Sequence, residues 1–112
     1  MQYSELLWSQ KWTDYGDWYE KFGPETNPEA FATYNAVLAY FEGVGQLVKR
    51  KMIDRSLVYD LLSIVAVWIW EKMEPTVKGQ RERMKNPRIW EDYEYLYNEM
   101  KKYENQRPEL KT

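Results

Sequence analysis

Apolar positions recur with a period near 3.6 along most of this chain, and that spacing predicts helices. In the first segment Trp8, Trp12, Tyr15, Tyr19 and Phe22 fall at steps of four, three, four and three. A second run places Phe31, Tyr34, Leu38, Phe41, Gly45 and Val48 on one face. The last repeats the pattern with Trp90, Tyr93, Tyr97 and Met100, with Leu96 beside them. The third run differs: Leu57, Val58, Leu61, Leu62, Ile64, Val65, Val67, Trp68 and Ile69 leave almost no polar face. A helix apolar all round normally sits at the centre of its bundle.

The punctuation agrees with this reading. Asn27-Pro28 and Asn86-Pro87 each set a capping side chain before a proline at the first helical position, where the missing N–H costs nothing. Asp54 introduces the third run as a cap without the proline, and Pro75 is expected to kink or restart it. Gly16 weakens the first helix by about 1 kcal/mol relative to Ala. Gly43 and Gly45 suggest that another helix packs closely against the second. The expected fold is an all-α, compact bundle of about five helices near 3–22, 28–50, 55–73, 75–84 and 87–104, arranged around the apolar 55–73 helix. It forms one domain over 1–106, followed by a frayed tail at 107–112.

Composition narrows the chemistry. The 112 residues contain no His and no Cys, which removes Ser-His dyads, thiolate nucleophiles and the usual zinc and iron–sulfur ligands. No cofactor is expected. Six Trp and ten Tyr stand beside only three Phe. These amphipathic rings suit interfaces and half-buried shells as well as cores. A net charge of −2 predicts no general attraction to nucleic acid or anionic membrane. The longest apolar stretch, Leu57 to Trp70, falls short of the ~20 residues that span a bilayer. No secretory signal is visible, and a cytoplasmic location is expected.

Several short motifs lie in order on these helices: Tyr40-Phe41-Glu42 with Gly45, Met52-Ile53-Asp54, Trp70-Glu71, Glu74-Pro75, Arg81, and Tyr93-Glu94 with Leu96. Together they resemble a family of short, uncharacterised helical proteins from bacteria, archaea and their viruses, over roughly residues 30–103. That family carries a YE-x-x-G helix, a G-x-I-D turn, a central Trp, a P-x-I-x-x-x-R helix and a final F-E-x-L helix. Lys51 or Met52 stands where the turn glycine belongs, and Thr76-Val77 follows the proline. The resemblance implies an all-helical domain and supplies no activity.

Four residue sets are candidates for function. Glu42, Arg81 and Glu94 lie on separate helices among apolar neighbours, and a structural ion pair is expected in which Arg81 bridges one or both glutamates, because an unpaired buried ion is costly. Glu71/Glu74 and Glu91/Glu94 have i,i+3 spacing, so each pair shares a helix face. Two such pairs on facing helices could hold Mg²⁺ or Mn²⁺, as in the all-helical nucleotide pyrophosphohydrolases, and would make a small metal-dependent phosphohydrolase. Lys78, Arg83, Lys85 and Arg88 with Trp90 offer phosphate contacts and a stacking ring, though Glu91, Asp92 and Glu94 oppose them and make nucleic-acid binding the less expected reading. Trp8, Trp12, Tyr15, Trp18 and Tyr19 form the fourth set, an aromatic surface for a protein partner or a second copy. The preferred reading is a non-enzymatic interaction or assembly module, self-associating through aromatic helix faces as a homo-oligomer.

Overall fold

The computed structural model of the protein describes residues 10–107 and 109. Within them lie four helices and no strand: α1 Tyr15–Phe22, α2 Pro28–Lys49, α3 Arg55–Met84 and α4 Glu91–Gln106. Side-chain caps account for three starts, the expected Asn27 and Asp54 and, in addition, Asp14. Asp14 Oδ1 accepts from the Asp17 amide at 2.8 Å, Asn27 Oδ1 from Ala30 at 3.1 Å, and Asp54 Oδ1 from Ser56 at 3.0 Å. Each side chain satisfies a helix-terminal N–H that has no partner within its own helix.

The five expected helices become four because α3 runs through Pro75 without ending. Pro75 is exposed, and so is Glu71, whose carbonyl loses its hydrogen bond to the missing proline N–H. Water can satisfy that carbonyl, so the break costs less than it would inside the core. The last helix also starts later than expected. Asn86 Oδ1 accepts from the Arg88 amide at 3.0 Å and closes a turn rather than a helix. Trp90 then takes a left-handed conformation (φ 56°), and α4 begins only at Glu91. In the first segment the helix begins beside Gly16, so Trp12 precedes it; residues 3–9 of the expected helix lie outside the described residues, as does most of the expected tail at 107–112.

The apolar 55–73 stretch is not the centre of the bundle. The backbones of α2 and α3 scarcely approach one another, and α4 packs extensively on both. Tyr93, Leu96 and Met100 of α4 are fully buried, and they meet Phe41 of α2 and Ala66, Trp70 and Met73 of α3 in a single core. α1 closes the far end: Trp18 and Phe22 pack on Phe31 and Tyr34 of α2, while Tyr15 lies against Gly79 of α3. A Cβ at Gly79 would fall 2.2 Å from that of Tyr15, so glycine permits the close approach. The third run therefore has two apolar faces. Val58, Ala66, Ile69, Trp70, Met73 and Val77 face inward, while Leu57, Leu61, Ile64 and Val65 face out.

Lys51 occupies the turn between α2 and α3 with φ 59°. A left-handed conformation costs a residue with a Cβ roughly 1–2 kcal/mol, which explains why the resembled family has glycine there. Lys51→Gly is expected to stabilise the fold by about 1 kcal/mol, less any entropy gained by the unfolded chain. Thermal or urea unfolding would check it, and a lower midpoint would refute it.

Candidate functional site

The family-like motifs converge on the N-terminal half of α4. Trp90 supplies no side-chain cap there, and Glu42 reaches across from α2 to do so, its Oε1 accepting from the Tyr93 amide at 2.9 Å. Its negative charge also opposes the positive end of the helix dipole. Asp92 accepts from Lys49 Nζ at 3.0 Å and from Gln46 Nε2 at 3.1 Å. Between these contacts Gly45 lets the Asp92 backbone carbonyl come so close that a Cβ would fall 2.0 Å from its oxygen. Burial pushes the Glu42 carboxyl above its ordinary range, and nearby Asp92 and Glu91 add to this, against the Tyr93 amide hydrogen bond. A raised carboxyl contributes stability below its unfolded-state value and loses it as pH rises through the folded one.

On the other side of α4, Arg81 of α3 holds Glu94 at 2.7 Å, while its Nε donates to the Ile89 carbonyl at 2.7 Å. It thereby ties the α3–α4 turn to both helices. Arg81 does not bridge to Glu42 in this arrangement, because Glu42 is engaged with the α4 terminus. Tyr93 packs 5.0 Å from both Phe41 and Trp70, and its hydroxyl donates to the Ala66 carbonyl at 2.7 Å. These residues form a lock that sets α4 between its neighbours.

The two E-x-x-E pairs do not converge. Glu71 accepts from the Tyr97 hydroxyl at 2.7 Å, Glu74 pairs with Lys78 at 3.3 Å, Glu91 with Arg88 at 3.1 Å, and Glu94 with Arg81. Burial, with Glu71 beside it, pushes the Tyr97 hydroxyl up to about 12. Among the described residues no three carboxylates gather closely enough to hold a cation. Most of the basic set meets local partners from exposed positions, Lys78 on Glu74, Arg88 on Glu91 and Arg83 on a ring. Arg83 lies over the Tyr19 ring at 4.7 Å, the Lys85 backbone caps α3, and the Trp90 indole donates to Gln80 at 3.3 Å from a half-buried position.

The aromatic set of the first segment largely faces inward. Trp18 is only 4% exposed, Trp12, Tyr15 and Tyr19 are half-buried against the core, and Trp8 lies outside the described residues. Trp12 lies edge-on to Tyr34 and Phe22, with Lys72 Nζ 4.7 Å above its ring. Trp12, Tyr15 and Tyr19 each keep part of their surface in solvent.

Exposed apolar surface gathers instead where α4 does not cover α2 and α3. Ile64 is 84% exposed, Leu61 71% and Leu57 52%, at steps of three and four along one face of α3. Beside this ridge runs a groove of about 670 Å³, walled by Ala32, Ala36, Val37 and Tyr40 of α2 and by Val65 of α3, with Phe41 and Ile69 beneath and Glu29 at one end. A more polar groove of about 850 Å³ borders the other flank of Ile64, between α3 and α4. The signal for this face was in the sequence: a helix apolar all round needs cover on every side, and the fold supplies it on one.

Among the described residues no helix is long and apolar enough to cross a membrane. No curated protein and no solved structure significantly matches the chain. The pattern of one family does match, over residues 2–100, and it takes in the α2 glycine, the α2–α3 turn and most of α4. The chain belongs to the DUF4760 family, a domain of unknown function.

Proposed function

We propose that this protein is a non-enzymatic assembly module that self-associates through the uncovered face of α2 and α3. The observation that carries this reading is the row Leu57, Leu61 and Ile64, exposed on a helix whose opposite face is core. Burying one such side chain is worth roughly 1.5–3 kcal/mol, so leaving a row of them in water forgoes a large gain. With Val65 and Tyr40 they make a patch on the order of 600 Å², the upper end of what soluble monomers show. Lone exposed leucines need no explanation, but a continuous row beside an apolar groove does. Neither the carboxylates nor the basic residues share a focus, so hydrolysis and phosphate binding have no comparable geometry behind them.

Light scattering over a hundredfold concentration range tests the reading. The mass of the wild-type protein should rise to a multiple of the monomer, and Ile64→Glu should hold it at the monomer with an unchanged helical circular-dichroism spectrum. A wild-type monomer throughout would overturn the proposal.

A further inference from the structure

We infer that the partner at this face is a second copy of this chain, lying antiparallel across a two-fold axis that passes over the α2–α3 groove beside Val65, so that α2 and α3 of both copies complete a four-helix bundle. The inference rests on the self-association reading and adds to it the partner's identity and orientation. The arrangement on this face fits such a contact. A two-fold interface requires one surface to carry both members of each complementary pair. Here the Leu61–Ile64 ridge stands directly beside the α2–α3 groove, so the ridge of each copy can seat in the groove of the other. The walls suit a helix: Ala32 and Ala36 are small enough for close approach, and Tyr40 provides a rim. Knobs set into such holes are how helices of antiparallel bundles pack.

Area points the same way. The patch of about 600 Å² falls short of the ~800 Å² that each partner contributes to a standard interface, and the groove walls add the remainder. No foreign element is then required.

Charge selects the orientation. Exposed Glu25 and Glu29 stand at the start of α2, and exposed Arg50 and Lys51 stand just beyond its end. Glu29 itself borders the groove. α2 and α3 run antiparallel through a short turn, so the acidic end lies far from the turn, roughly 30 Å along a helix axis at 1.5 Å per residue. An axis perpendicular to the helices brings the acidic end of each copy to the basic turn of the other. A parallel pairing would set Glu29 against Glu29 and Lys51 against Lys51, which is repulsive.

Because the chain has no cysteine, introduced thiols report neighbours without background. Disulfide formation requires Cβ atoms about 4 Å apart. Val65→Cys, near the two-fold axis, should cross-link to itself under a mild oxidant. Leu57→Cys should not, because its two copies stand more than roughly 20 Å apart along the helix direction at 1.5 Å per residue. Mixing Glu29→Cys protein with Lys51→Cys protein should give the mixed cross-link in preference to either homodimer. Separately, Glu29→Lys should weaken the dimer several-fold, and adding Lys51→Glu should restore it. A dimer by mass in which Leu57→Cys cross-links to itself, or in which the charge exchange fails to rescue, overturns the antiparallel arrangement while leaving self-association standing. A wild-type monomer overturns both.

Discussion

Alanine at Gly45 is expected to destabilise the protein by ~3 kcal/mol or more, toward the upper end for overpacking a buried contact. The added carbon would sit 2.0 Å from the Asp92 carbonyl oxygen and 2.7 Å from its carbon, and both are backbone atoms that no rotamer change can move aside. α4 would have to withdraw from α2 and loosen the Glu42 cap on Tyr93, the Lys49 and Gln46 contacts to Asp92, and the packing of Phe41 on Tyr93. Gly43 provides the control. It lies two residues earlier on the same helix, with no neighbouring atom near a built Cβ. Alanine there should instead stabilise by roughly 0.5–1 kcal/mol, through helix propensity alone. Opposite signs at two adjacent glycines, read from denaturant midpoints at constant m, would establish the close α2–α4 approach. Equal effects would remove it.

Trp70→Ala carries the other large effect, an expected loss of about 3–5 kcal/mol, as for other buried large-to-small aromatic changes. Trp70 is fully buried and lies 5.0 Å from the Tyr93 ring and 6.2 Å from that of Tyr97, so it fills the seam where α3 meets α4. Among the described residues its indole nitrogen has no hydrogen-bond partner. Trp70→Phe should therefore cost clearly less than alanine, because it keeps much of the ring packing and removes a buried donor that gains nothing. Unfolding curves for the two variants would show the ordering. If phenylalanine proved as harmful as alanine, the indole N–H would have a role that the packing does not explain.

The local features were readable because they depend on few residues. The caps at Asn27 and Asp54 follow from side-chain chemistry within a turn and are present. Of the two glycines expected to admit a neighbouring helix, only Gly45 does so, against Asp92. The passage of α3 through Pro75 was not readable, because it depends on which way that side of the helix faces, a tertiary fact. The same holds for the third run. Its continuous apolar character implied complete cover, whereas the bundle covers half and leaves Leu57, Leu61 and Ile64 outside. Periodicity counts the apolar faces of a helix, but it does not say whether each is met by the same chain or by another. Aromatic side chains misled in the opposite sense. Trp12 and Trp18 looked like surplus for a contact surface because the core partners that absorb them, Phe31 and Tyr34, belong to another helix. Arg81 paired with Glu94, as charge logic suggested, but Glu42 was drawn to a helix terminus that no sequence rule had located.

The position of α4 has a bearing on how the chain is made. The element that separates α2 from α3 is the last helix of the described chain, ending at Gln106. During synthesis, at about 5–20 residues per second, the two longer helices would emerge with their inner faces unmatched. Phe41, Trp70 and Met73 would wait in water for Tyr93 and Leu96. The nascent chain is therefore expected to stay sticky until α4 has emerged, and a ribosome stalled before residue 90 would carry two amphipathic helices with no common core.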